Sequence, residues 1–210
     1  MSQFINIHTH KKHNTDVLEI INSNIINDKN YFSIGIHPWN INKINIDYAN
    51  ITKLITKKNV LAIGEIGIDR TINVDIDLQK DVFYKQLTIA RENNKPVIIH
   101  CARAYSDFQQ ILKQIPHIYI FHGFNANILT ASDLIKKGAY LSFGESLIKN
   151  TKLQHTFKCI DINKVFFETD NRNININDIY IFASKLLDID LNKLKNIISL
   201  NFKNVFNINE

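Results

Sequence analysis

The sequence predicts an α/β protein, a (β/α)8 barrel of trimmed length, on three observations. Short runs rich in Ile, Val, Phe and Tyr recur, most of them nearly continuous in hydrophobicity, as parallel strands covered on both faces require. The longer segments between them carry the spacing of amphipathic helices. Several of the apolar runs stop on a titratable residue, the position at which barrel enzymes place their chemistry.

The first strand is expected over residues 4–7, running into Ile7-His8-Thr9-His10. Residues 17–23 follow, where Val17, Ile21 and Ile25 suit either a strand or a helix. As a strand, this segment would lie only about ten residues from the first, too close for a crossover helix. The barrel would then lack its first helix. Trimming is in any case required of a 210-residue chain, because the fold typically takes roughly 250 residues. Six further strands are expected at 31–36, 60–66, 97–100, 118–121, 140–143 and 165–168.

Between these, residues 78–93 place Val82, Phe83, Leu87, Ile89 and Ala90 on one stripe, with Pro96 beyond the end. Residues 104–115 repeat the pattern with Phe108, Ile111, Leu112 and Ile115. Residues 127–137 stop before Gly138, a residue suited to a helix C-cap. Helices are also expected at 176–188 and 191–205, with Asn177-Asp178 and Asp190 as candidate caps.

Length and composition bound the function. A chain of 210 residues, 45% hydrophobic and 21% charged, can bury a substantial core and is read as one domain, 1–210. The net charge of +5 fits a polyanionic partner, although a chain rich in Asn, Ile and Lys reaches a high pI without any binding patch. Cys101 and Cys159 cannot build a secreted disulfide framework, so a reducing, cytoplasmic compartment is expected. The N-terminus lacks the basic region and apolar run of a signal peptide, and no segment is long enough to span a bilayer. No membrane partner is expected, and a monomer is favoured.

The chemistry sits at the strand ends. Alternate residues of a strand point the same way, so His8 and His10 can converge on one ion. With 8 histidines in the chain, such a pair also arises by chance and needs its context. That context is repetition: 60–64 runs into Glu65, 96–99 into His100, 119–121 into His122, and 165–167 into Glu168-Thr169-Asp170. An unpaired buried charge costs several kcal/mol, so independent strands rarely end this way without a shared site. Taken singly, each residue has a plainer role. A strand-end His is more often a hydrogen-bonded structural residue, Glu65 could pair with Arg70, and Asp170 could cap the following segment. His117 and His155 are read as surface residues and His13 as part of a loop.

The order His8-x-His10, Gly64-Glu65-Ile66-Gly67-Ile68-Asp69, Ile98-Ile99-His100-Cys101, His122-Gly123-Phe124 and Glu168-Thr169-Asp170 resembles the TatD family of metal-dependent deoxyribonucleases. Gly35-Ile36-His37-Pro38-Trp39 is similar to a further block of that family, and 79–90, with Phe83 and Gln86, to one of its helices. The resemblance spans nearly the whole chain. It implies a barrel of the amidohydrolase-like kind holding two divalent ions. His8, His10 and Asp170 would hold one, His100 and His122 the other, with Glu65 bridging. Related phosphotriesterase-like enzymes carry a modified Lys where Glu65 stands, which favours the TatD-like branch.

The resemblance implies hydrolysis of DNA phosphodiester bonds, with 3′→5′ exonuclease action as one form of it, Asp170 and Glu65 as catalytic residues and DNA as partner. His37, Lys11 and Arg103 are candidates for substrate contact, with Lys12 a weaker one. Imidazole ligands suit Zn²⁺ or Mn²⁺, whereas Mg²⁺ prefers oxygen shells; the sequence leaves the metal open. The chain departs from the family around the substrate. Ala102 stands where an Arg is usual, with Arg103 one later; His122 is followed by Gly123-Phe124-Asn125-Ala126; and Asn171-Arg172 replaces a Ser-Pro pair. Alternatives therefore stay open: a small phosphoester or an aminoacyl-tRNA ester as substrate, or a metal-binding module without catalysis.

Overall fold

The computed structural model describes residues 3–12, 16–43 and 46–207. Eight strands form one parallel sheet in chain order: β1 (Phe4–Thr9), β2 (Val17–Asn22), β3 (Tyr31–Ile34), β4 (Val60–Asp69), β5 (Val97–Ala102), β6 (Tyr119–Phe121), β7 (Tyr140–Phe143) and β8 (Val165–Phe167). The expected barrel is therefore present, and the ambiguous segment at 17–23 is a strand, hydrogen-bonded to β1 on one side and β3 on the other. Side chains help to close the ring. Thr9 and Asp170 form an isolated parallel bridge, with Asp170 N donating to His8 O at 3.0 Å. Below that bridge the Asn6 side chain takes the place of a ladder, accepting from Thr169 N at 3.0 Å and donating to Thr169 Oγ1 at 2.9 Å.

Eight helices accompany the strands among the described residues: α1 (Tyr48–Ile55), α2 (Ile76–Glu92), α3 (Tyr105–Gln114), α4 (Ile128–Lys136), α5 (Ser146–Lys149), α6 (Thr151–Lys158), α7 (Ile176–Leu187) and α8 (Leu191–Phe206). The connections β1–β2 and β2–β3 span only residues 10–16 and 23–30, shorter than a helical crossover needs. Trimming thus removes two helices, not only the first. Helical periodicity did not announce α1, α5 or α6, which are 8, 4 and 8 residues long, too short to display a full stripe.

Capping explains several boundaries. Asp75 accepts from Asp77 N and Leu78 N, starting α2 at Ile76, two residues before the expected start at 78. Asn175, not Asn177-Asp178, caps α7, because the helix already begins at Ile176 and puts those two residues inside its first turn. Asp190 caps α8 as expected, and Gly138, at φ 90°, follows the end of α4.

The core lies between sheet and helices as well as within the ring. All ten residues of β4 are buried. Phe108 of α3 meets Phe83 of α2 and Phe121 of β6 edge-on, with ring centroids 5.5 and 5.3 Å apart, and Tyr180 of α7 packs on Phe167 of β8 at 4.6 Å. His155 is exposed, in keeping with its sequence setting, and His13 lies outside the described residues. His117 is a correction. It is half-buried, its Nε2 2.8 Å from Lys95 O, because the pairing of Val97 with Tyr119 sets the two preceding loops side by side. Among the described residues no helix is long and apolar enough to cross a membrane.

Candidate metal centre

Parallel register brings the strand ends to one mouth of the barrel, where seven side chains converge. One comes from β1 and one from the residue just after it, and the strand is irregular between Asn6 and Thr9, the stretch that contains His8. His8 is fully buried and His10 lies at the rim. Glu65 of β4 is the hub. Its Oε2 lies 3.3 Å from His8 Nε2 and 3.5 Å from His10 Nε2. Its Oε1 lies 2.6 Å from His100 Nδ1, 2.8 Å from His122 Nε2 and 2.9 Å from His37 Nε2. Asp170, just after β8 at φ 52°, sets Oδ1 3.3 Å from His10 Nε2 and 3.6 Å from His8 Nε2.

Further residues hold these in place. Asn22 of β2 accepts from Glu65 N at 2.9 Å. Asp69 faces His100 Nε2 at 3.0 Å, and Glu168 faces His122 Nδ1 at 3.2 Å while accepting from Gly123 N at 2.8 Å. Each carboxylate thereby fixes a ring with its other nitrogen aimed at the centre, the usual arrangement behind a metal-ligating His. Two buried glutamines of α2, seven residues apart on one helical face, brace the surrounding loops. Gln79 accepts from Asp69 N, and Gln86 accepts from Ile36 N beside His37.

The electrostatics follow from this crowding. Burial opposes ionisation of Glu65, but His122, His10 and His100 outweigh it and hold the carboxyl far below its ordinary range. Asp170 is likewise lowered: burial opposes the charge, and His10 and His8 prevail. Asp69 is lowered to about 2, as hydrogen bonds from Thr71 and Trp39 overcome its burial. His10 is pushed up to about 9 by Asp170 and Glu65. His8 and His122 are raised against their burial by neighbouring carboxylates, whereas burial lowers His37 despite Glu65.

The donor set fits a divalent metal. Both ring nitrogens of His8 are buried without a hydrogen bond, although Nε2 faces two carboxylates, as expected of a lone pair directed at a cation. Three groupings place one ligand atom per residue within 4.8 Å of one another: His8, His10 and Glu65; His8, His122 and Asp170; His37, Glu65 and His100. Imidazole with carboxylate suits Zn²⁺, Mn²⁺ or similar ions.

The profile described as TatD related DNase matches residues 1–207. The chain belongs to the TatD family of metal-dependent hydrolases. An uncharacterized metal-dependent hydrolase of Buchnera aphidicola is 30% identical over 204 residues, covering 85% of this chain and 77% of that protein. A Pantoea ananatis protein named 3′-5′ ssDNA/RNA exonuclease TatD is 38% identical over 81 residues, 38% of this chain and 31% of its own length. The fold matches that of the solved TatD homologue YjjV of Escherichia coli, with a TM-score of 0.85 at 19% identity and 98% coverage of both chains.

Within this TatD-family chain, all six strand-end residues singled out in the sequence meet at one point. His37, set apart there as a substrate residue, meets them too, because the turn after β3 folds over the mouth. Arg103 and Lys11 are exposed and line neither of the cavities that border the centre. Arg70 pairs with Asp107 and not with Glu65. Asp69 and Glu168 stood within recognised motifs, yet nothing local marked them as partners of particular imidazoles; their distances come from strand register.

Proposed function

We propose that this TatD-family hydrolase is a nuclease that cleaves phosphodiester bonds near the end of a nucleic-acid strand, with DNA as the leading substrate. The observation that carries this is the placement of the centre between two open cavities. One of about 400 Å³ borders His37 and Trp39, and one of about 270 Å³ borders Gly123 and Arg172. His100, His122 and Asp170 line both, so a chain crossing the mouth would leave a group on either side of the scissile bond.

Glu65, His8, His10, His37, His100, His122 and Asp170 would hold the cations. Two divalent cations supply Lewis acidity to a phosphoryl oxygen and to the attacking water. The chain's own part is positional and acid–base. Asp69 and Glu168 accept the N–H of His100 Nε2 and His122 Nδ1, keeping the inward nitrogens as lone-pair donors. Asp170, its side chain 31% exposed at the rim, accepts the proton of the attacking water.

The test is cleavage of labelled single- and double-stranded DNA with Mn²⁺ or Zn²⁺, repeated after chelation. His100→Ala and Asp170→Asn should each lower cleavage by about 100-fold or more without unfolding the protein. Near-normal turnover by either variant removes the assigned residues. Metal-dependent hydrolysis of a small phosphoester or an aminoacyl ester, with DNA untouched, replaces the substrate.

A further inference from the structure

Apart from the histidines of the centre, the two cavities are lined by one arginine, Arg172, and no lysine. Contacts to phosphate by Lys and Arg usually supply most of the affinity for nucleic acid. Beyond the metal centre itself these cavities offer one Lys or Arg contact to a phosphate, so a contact to the base adds to what holds a strand here.

The larger cavity offers it. Trp39, the one tryptophan in the chain, is 53% exposed. A ring that large is ordinarily buried, since covering it is worth several kcal/mol. Its position is nevertheless fixed. Trp39 follows Pro38 in a single 3-10 turn (Pro38–Asn40), its backbone N donates to His37 Nδ1 at 3.1 Å, and its Nε1 donates to Asp69 Oδ2 at 2.7 Å. The indole meets His37 edge-on at 4.9 Å between centroids and lies 6.1 Å from His100. The result is a rigid aromatic surface at the wall of a cavity of about 400 Å³ that also contains Glu65 and Asp170. Asn22, Ser23 and Asn40 add polar edges around it.

We infer that Trp39 is the stacking platform for one unpaired nucleobase, the base attached to the nucleotide whose phosphodiester lies on the metal centre. Stacking tolerates every base because each has a π-face, and it is worth about 1–3 kcal/mol per base. A base within a duplex has both faces covered by its neighbours, so this subsite selects a single strand or a frayed end. The inference rests on the nuclease assignment above, but its test does not depend on turnover.

Since Trp39 is the sole tryptophan, its fluorescence reports the site directly. Metal-loaded protein is titrated with 5′-dAMP and with deoxyribose 5-phosphate, which differ only in the base. Saturable quenching by the nucleotide but not by the sugar phosphate is expected. A second arm compares KM for a single-stranded oligonucleotide with that for one lacking its terminal base. The abasic strand should bind about 10-fold more weakly, and the ratio should fall to about 1 in Trp39→Leu. Trp39→Phe keeps a ring but loses the hydrogen bond to Asp69, and should retain most of the ratio. Quenching by both ligands or by neither overturns the inference, as does a ratio that collapses equally in the Phe and Leu variants. DNA cleavage with no base dependence overturns the stacking subsite and leaves the nuclease assignment standing. Base-dependent quenching without DNA cleavage supports the subsite and removes that assignment.

Discussion

Glu168 shows how much of the centre depends on side chains that need not touch the metal. It is 1% exposed, its Oε1 occupied by Gly123 N and His122, its Oε2 buried with no hydrogen bond. Neutralising it replaces a charged acceptor of the His122 N–H by a weaker neutral one. Glu168→Gln should weaken binding of Mn²⁺ or Zn²⁺ by about 10- to 100-fold, as titration calorimetry would measure, with the fold intact by circular dichroism. Unchanged affinity would remove its positioning role. His10 gives a second handle. Its pKa rises from 6.5 to about 9 beside Asp170 and Glu65, so the folded metal-free protein binds this proton more tightly than the unfolded chain. The stabilisation is complete below pH 6.5 and is lost as pH climbs through about 9. Chelated protein should therefore melt at progressively lower temperature across that window. Metal-loaded protein should not, because its ligands are already deprotonated. A flat profile for the chelated protein would count against the His10 cluster.

The strand pair β4–β5 has a similar dependence on one position. Gly67 leaves no room for a side chain between β4 and β5: a Cβ there would come within 1.9 Å of the His100 carbonyl oxygen. Gly67→Ala must push the strands apart, moving His100 away from Glu65. A loss of about 2 kcal/mol or more in denaturant unfolding is expected, together with weakened metal binding. Wild-type stability would mean that β5 yields freely at this point. The sequence displayed Gly67 inside a motif, but its spatial reason depends on the pairing of Gly67 with His100. Likewise α2 was legible from its apolar stripe, while the reason for its two buried glutamines was not. Gln79 and Gln86 hold the backbone at Asp69 and Ile36, contacts that periodicity cannot encode.

Across the molecule, the centre joins what the chain holds apart. Side chains from β1, β4 and β5 and from the segments just after β1, β3, β6 and β8 meet in one cluster of carboxylates and imidazoles. A divalent cation bound there should stabilise the whole barrel. At a hundredfold excess over Kd the gain is about 2.7 kcal/mol, which for a chain of this size raises the melting temperature by roughly 5–10 °C. Differential scanning calorimetry with and without chelator would measure it. Failure of Mn²⁺ and Zn²⁺ alike to raise the transition would contradict a preformed site.

Local chemistry was enough to announce the barrel and six of the converging residues. Apolar strands that stop on His, Glu or Asp are visible one at a time, because the cost of burying an unpaired charge acts at each position separately. The same local signal misled or fell silent wherever a neighbour is far away in the chain. It left 17–23 open between strand and helix, placed His117 on the surface, and showed one missing crossover where there are two. It kept His37 apart from the ligands it meets and gave no role to the exposed face of Trp39. Those features follow from eight strands in parallel register and a ring closed between Asn6 and Thr169, residues 163 positions apart. Distances of that kind exist only once the chain has folded.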